Sequence, residues 1–257
     1  MKHAFIDQYS DLDSFVHRLD PRTKTLVVLA FVLMVMATPP TAWLSFALCA
    51  VLITGLILLA RLPPLYVLKR SAVIVPFVLM IAIFLPFFEG GEVAGSYNVW
   101  LWRVSVTYDG LIVLWNVIIK SWLSALSLIL LSATTPFPRL LKGLERLGVP
   151  RVMVMILSFM YRYLFVLVDE VMRMGRARES RSLGGRVVWQ ARTLGNMIGA
   201  LFLRSYERAE RVYQAMLARG FDGEIRTLDD LRFGRTDLYF GLVCSFCLAG
   251  ICLAALR

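Results

Sequence analysis

Val152–Glu170 reads VMVMILSFMYRYLFVLVDE, and the topology of the whole chain turns on whether this stretch crosses a membrane. It has the apolar length, since about 17 residues is the lower limit for a spanning helix. Two features oppose a crossing. Arg162 stands at its centre, where an arginine costs roughly 2.5–3.5 kcal/mol even on the lenient insertion scale. The stretch from Arg173 to Arg235 carries thirteen arginines, and a crossing would place all of them on the far side. Which side that is must be read from the rest of the chain.

Hydrophobic residues make up 58% of the 257 residues and charged residues 18%, against roughly 45–50% and 25% in soluble domains. The apolar residues come in blocks rather than at amphipathic spacing. Four blocks before the quoted stretch have spanning character: Lys24–Thr38, extended back through Pro21, then Ala42–Ala60, Ala72–Phe88 and Gly110–Ala133. A last one, Asp237–Leu256, closes the chain. Pro39-Pro40 ends the first block and forces a tight reversal, and Pro76 and Pro86 predict kinks in the third. Between the third and fourth, "NVWLWRVSVTY" alternates like a short hairpin, and its aromatics suit a membrane interface.

Basic residues set the orientation. Lys2, Arg18, Arg22 and Lys24 precede the first block, and Arg61, Lys69 and Arg70 follow the second. Arg139, Lys142, Arg146 and Arg151 follow the fourth, while the intervening loops hold only Arg103. The positive-inside bias therefore places the N-terminus in the cytoplasm. A full crossing by Val152–Glu170 would export the arginine-rich region against that bias. The stretch is expected to lie oblique or along the inner boundary instead. The expected fold is an all-α polytopic membrane protein of about five transmembrane helices, with arginine-rich cytoplasmic helices between the fourth and last. No cleavable signal is apparent near the start, where Asp7, Asp11, Asp13 and Asp20 stand in place of an apolar core.

Several function classes are disfavoured. Cys49, Cys244, Cys247 and Cys252 lie in apolar runs as packing residues. Cys244-x-x-Cys247 has no second ligand pair and no βαβ context. The two histidines, His3 and His17, both belong to the N-terminal arm, so no metal ligands are assigned. No G-x-x-x-x-G-K-[ST] phosphate loop occurs, and neither does an intramembrane cluster of acids or histidines. The net charge of +10 accompanies no helix-turn-helix and no aromatic-interleaved groove, which argues against nucleic acid. No catalytic residue or cofactor site is assigned.

The arginine-rich region reads as two helical stretches broken at "SLGGR", Ser182 to Arg186. The second runs from about Thr193 to Arg219 and stops at Gly220, a C-terminal glycine. Met197, Leu201, Ala209, Val212 and Met216 follow helical spacing beside Arg204, Arg208 and Arg211, and Glu207 pairs with Arg211 at i,i+4. One reading of this face is contact with lipid. The other is docking to an acidic protein surface. No lysine follows Lys142, and the arginine fork suits carboxylates better than an ammonium does.

Three stretches, in order, carry a resemblance: "DSFVHRLDPRTKTLVVLAFVLMVMATPP", "SATTPFPRLLKGLERLGVPRVMVMILSFMYRYLFVLVDEVMRM" and "RSYERAERVYQAMLARGFDG". Together they resemble the transmembrane T component of energy-coupling-factor (ECF) transporters, of the CbiQ type found with cobalt and nickel uptake. The resemblance implies a non-enzymatic coupling subunit in a bacterial inner membrane. Its implied partners are a cytoplasmic ATPase dimer (CbiO type), a substrate-binding membrane subunit (CbiM type) and a small accessory membrane subunit (CbiN type). ATP would be bound by the first and Co²⁺ or Ni²⁺ by the second; a vitamin importer is the alternative. The family places two Ala-Arg-Gly-like motifs on cytoplasmic coupling helices, one for each ATPase subunit. The second matches Ala218-Arg219-Gly220. The first falls on Ser180-Arg181-Ser182, which departs from the pattern at both flanks, and Arg178 in Ala177-Arg178-Glu179 competes with it. The chain then divides into a four-span region (1–135), a coupling region (136–236) and a final spanning helix (237–257).

Lys120, inside "WNVIIKSWLSALSLILL", and Arg162 are the remaining singular residues. Each is a candidate membrane-interface or subunit contact, and an intramembrane lysine also admits a role in transport. Asp20 is expected to cap the first helix.

Overall fold

The computed structural model describes residues 14–82, 84, 93–99, 102–181, 187–223 and 233–255. Its elements are α1 (Phe15–Arg18), α2 (Pro21–Ala37), α3 (Trp43–Leu59), α4 (Pro64–Ala72) and α5 (Ile74–Ala82), then β1 (Val93–Val99) and β2 (Trp102–Thr107). There follow α6 (Tyr108–Thr134), α7 (Phe137–Arg146), α8 (Arg151–Arg181), α9 (Val187–Leu217) and α10 (Arg235–Ala255). The chain is an all-α polytopic membrane protein with one small hairpin. It forms two compact units: α1 to α6, most of α7, and α10 make one, while α8 and α9 belong to the other.

In the larger unit, α2, α3, α6 and α10 pack around an apolar core. Helix α3 contributes Phe46, Cys49, Ile53 and Ile57, all buried, at the three- and four-residue spacing that puts them on one face. Phe31 and Val35 of α2, Leu123, Leu126 and Leu130 of α6, and Ile251 of α10 meet them. The opposite faces carry exposed apolar side chains such as Leu33, Val51, Leu242 and Phe246. That is the inverted surface a bilayer requires, because lipid solvates it as well as the core does.

Polar groups fix the ends of this bundle. Pro21 occupies the first turn of α2 and the Asp20 carboxylate accepts from the Arg22 N–H at 2.9 Å, so the expected cap is present. The Asp20 N–H in turn donates to Asp237 Oδ1 at 2.7 Å, and Asp237 Oδ2 accepts from the Gly234 N–H at 2.8 Å. One buried carboxylate thus joins the starts of the first and last long helices of the unit. Buried Lys24 donates to His17 O (3.2 Å), Thr134 O (3.1 Å) and Thr135 Oγ1 (3.3 Å), capping the C-terminal end of α6.

The third apolar block differs from its expected outline. The apolar helical run begins at Pro64 rather than Ala72, and it is interrupted at Val73 between α4 and α5. Pro76 supplies the cause: it lacks an N–H, and its ring conflicts with the carbonyl four residues back, at Ala72. The stretch around Pro86 lies outside the described residues. The expected hairpin is present as an antiparallel pair with Tyr97 opposite Val104 and Val99 opposite Trp102.

Among the described residues, Pro64–Ala82, Gly110–Thr134, Arg151–Arg181 and Arg235–Ala255 have the length and composition to cross a membrane, and Trp43–Leu59 is a shorter apolar helix. Helix α2, at 17 residues, carries Arg22 and Lys24 in its first turns. Composition thus permits α8 to cross; the flanking arginines remain the argument against it.

Candidate coupling surface

The expected break at "SLGGR" lies outside the described residues, and the helices on either side of it have 31 described residues each. Helix α8 is continuous from the apolar Arg151 end into the charged Arg181 end. Helix α9 is described from Val187, six residues before the expected Thr193.

The Ala218-Arg219-Gly220 motif is a helix terminus. The Phe221 N–H donates to Met216 O at 3.1 Å and the Gly220 N–H to Leu217 O at 3.0 Å. Gly220 has φ +79°. This is the paired hydrogen-bond pattern of a Schellman cap, whose left-handed position favours glycine. Arg219 is the last residue before that glycine and is exposed. Glycine therefore has a backbone reason to stand beside this arginine. The cap turns the chain away and leaves the guanidinium at the tip of a stiff rod.

Arg181 is the last described residue of α8 and is also exposed. Ser180 donates its hydroxyl back to Ala177 O at 3.0 Å. Ser182 lies outside the described residues. Arg178, one turn earlier, is half-buried.

A contact that sequence reasoning missed ties the two helices. Glu170 accepts from Arg173 Nη2 at 2.5 Å on its own helix and from Arg204 Nη1 at 2.6 Å on α9. The Arg173 and Arg204 guanidiniums hold its carboxyl below the usual carboxylate range. Thirty-four residues separate Glu170 from Arg204, so no local periodicity signals the pair. The anticipated Glu207–Arg211 pair is present at 3.8 Å with both side chains exposed, a geometry worth little.

Along α8 and α9 much of the apolar surface faces outward. Met153, Ile156, Met160 and Leu164 of α8 are exposed, as are Ile198, Phe202, Leu203 and Tyr206 of α9. Arg162 is exposed on α8.

Lys120 has an internal assignment in the other unit. Its ammonium donates to Thr38 O at 2.7 Å and Met36 O at 3.1 Å, the C-terminal carbonyls of α2. One turn earlier on α6, Asn116 Nδ2 donates to Pro40 O at 3.3 Å. The prolines that end α2 leave carbonyls without helical donors, and α6 supplies those donors. Lys24 and Lys120 therefore form a reciprocal pair, each capping the C-terminal carbonyls of the other's helix. Lys120 is built into the fold as a structural cation.

Among the described residues no three His, Cys, Asp or Glu side chains gather in a way that would hold a metal ion. All four cysteines are free, with Cys49 and Cys244 buried and Cys247 and Cys252 exposed.

Comparison with known proteins adds a second line. The profile of the CbiQ family, described as "Cobalt transport protein", matches residues 13–228. The energy-coupling factor transporter transmembrane protein EcfT of Clostridium kluyveri is 28% identical over 100% of this chain and 97% of its own length. That of Acidaminococcus fermentans is 29% identical over 93% and 91%. An uncharacterized protein of Methanocaldococcus jannaschii is 28% identical over 88% of this chain and 77% of its own.

Proposed function

Because the chain belongs to the CbiQ family of cobalt transport proteins, we propose that it is the subunit that carries motion from cytoplasmic ATPases to a membrane partner that binds Co²⁺ or Ni²⁺. It is a transmembrane transporter subunit of the energy-coupling-factor type, not an enzyme. The observation that carries the coupling reading is the matched construction of α8 and α9. Each of these 31-residue helices carries an exposed arginine at its charged end, Arg181 as the last described residue of α8 and Arg219 in the cap that follows α9.

A guanidinium at a rod's end reaches into a groove and forms a forked pair with a carboxylate there. Gly220 adds no side chain beside it, so the helix end seats closely. The Glu170–Arg204 brace makes the rods a pair, so a change in the spacing of two ATPase subunits becomes a change in their tilt. The outward apolar face of α8 and α9 then offers the membrane partner a surface whose position follows that tilt. In this reading the N-terminus and the arginine-rich region lie on the cytoplasmic side of a bacterial inner membrane, and Val152–Glu170 does not cross fully.

The coupling test compares variants at matched expression by ATPase pull-down and metal uptake. Arg219→Ala is expected to weaken ATPase capture roughly 10- to 100-fold, the worth of a partly desolvated charged hydrogen bond, whereas Arg235→Ala changes little. Arg181→Ala should behave like Arg219→Ala, the double variant should lose more, and Arg219→Lys should restore little. Wild-type behaviour of the double variant would return these arginines to a lipid-contact role. Damage by Arg178→Ala instead of Arg181→Ala would move the first contact one turn back. For topology, Ser182→Cys in a cysteine-free background should resist labelling from the periplasmic side; efficient labelling would defeat the five-span arrangement. Uptake assayed with Co²⁺, Ni²⁺ and vitamins after co-expression with each candidate membrane partner decides the substrate.

A further inference from the structure

A groove of about 400 Å³ runs between α8 and α9, within the smaller unit. Its walls are apolar: Phe159, Met160 and Tyr163 on one side, Val212 and Met216 on the other. A second cavity of about 160 Å³ adjoins it and holds Glu170, Arg204, Glu207 and Arg211. Ser205 and Arg208 line both, so Arg208 stands where the apolar groove meets the charged one.

The charges there do not cancel. Glu170 is already engaged by Arg173 and Arg204, and Glu207 faces Arg211. Half-buried Arg208 has no ion pair among the described residues. A guanidinium left with its charge at the end of an apolar groove fits a molecule with an anionic head and a hydrocarbon tail. The volume lies within the range of built ligand sites.

We propose that this groove binds one acyl chain of an anionic phospholipid, with the lipid phosphate on Arg208. A protein helix is the less suitable occupant: one helical turn about 10 Å wide and 5.4 Å high already takes roughly 400 Å³. A hydrocarbon chain fills a narrow apolar channel lengthwise and brings the negative charge that Arg208 lacks. Basic pockets between helices near the cytoplasmic leaflet have the chemistry to hold anionic headgroups. The site stands independently of ATPase docking, because Arg181 and Arg219 line neither cavity.

The test is native mass spectrometry of the delipidated full chain, titrated with phosphatidylglycerol or phosphatidylcholine of identical acyl chains. The wild type should retain phosphatidylglycerol roughly five- to tenfold better, the scale of one arginine–phosphate contact. Arg208→Gln should bring the two lipids to near parity, Arg208→Lys should keep part of the preference, and exposed Arg192→Gln should keep all of it. Val212→Trp, which fills the groove, should reduce retention of both lipids. Absence of a wild-type preference, or its survival in Arg208→Gln, overturns the proposal, and so does displacement by millimolar inorganic phosphate. A photo-crosslinking residue at Phe159, half-buried in the groove wall, provides a check in cell membranes that no folding defect at Arg208 affects. A lipid adduct supports the site, and an adduct to a second copy or to a partner helix refutes it.

Discussion

Helices α6 and α8 have equal claims on a membrane by composition, yet they are built for different surroundings. Gly110–Thr134 and Arg151–Arg181 match in mean hydropathy, but 39% of the apolar window is buried in the first and 6% in the second. The interior polar groups of α6 serve the protein itself: Asn116 and Lys120 satisfy carbonyls of the α2–α3 turn, and Ser127 bonds back to Ser124 O at 2.7 Å. Arg162, about as far along α8 as Lys120 is along α6, is exposed. An apolar run therefore says that a helix avoids water and leaves open what replaces water. For α6 that is its own chain; for α8 it is a surface awaiting lipid or a partner.

The largest expected effect that separates the two lies in their apolar residues. Leu123→Ala empties a site only 1% exposed and should cost about 3 kcal/mol, read by denaturant unfolding in detergent. Met160→Ala on α8, 55% exposed, should cost well under 1 kcal/mol by the same measurement. Equal losses would erase the distinction.

Polar residues sharpen it next. Lys120→Met leaves the carbonyls of Met36 and Thr38 without their donor and should destabilise by about 2 kcal/mol. Arg162→Leu should leave stability within about 0.5 kcal/mol of wild type. If Lys120→Met keeps full stability and instead abolishes metal uptake, the lysine serves transport rather than the fold.

A smaller effect is expected at the tip of α9. Gly220→Ala places a Cβ at φ +79°, which costs about 1–2 kcal/mol locally. The helix end should fray, as amide exchange at Leu217 to Phe221 would report, while the melting of the larger unit stays unchanged. Unaltered exchange would remove the backbone explanation for this glycine.

The smallest concerns the brace, whose carboxylate is accessible to water. The carboxyl of Glu170 is held low by Arg173 and Arg204, so its contribution is present above the ordinary glutamate range, near pH 4.3. It is lost as pH falls through the lower folded-state value. Spin labels on α8 and α9 should show one distance from neutral pH down to about 5 and a broadened one in stronger acid. Glu170→Gln should broaden it at every pH. A pH-independent distance in the wild type would show that apolar contacts alone hold the pair.

Much of this was legible beforehand for identifiable reasons. Spanning blocks announce themselves because a bilayer demands long apolar runs. Pro39-Pro40 and Gly220 mark breaks because backbone chemistry there is local. Asp20 was readable as a cap by its place before Pro21. The split of the third block at Val73 needed the conflict between Pro76 and Ala72 to be followed one turn back. The Glu170–Arg204 brace and the Asp20–Asp237 link were hidden, because their partners lie 34 and 217 residues apart.

Sequence alone determined the class, the order of apolar and charged segments, and the helix stop at Gly220, since each depends on residues that are neighbours along the chain. Tertiary structure alone decided what those residues do for one another. It turned Lys120 from an unexplained intramembrane charge into the cap of a foreign helix. It joined α8 to α9 through one carboxylate, and it placed Arg208 at the mouth of an apolar groove. A side chain's partner is set by which helices pack together, and packing is a property of surfaces that only the folded chain brings into contact.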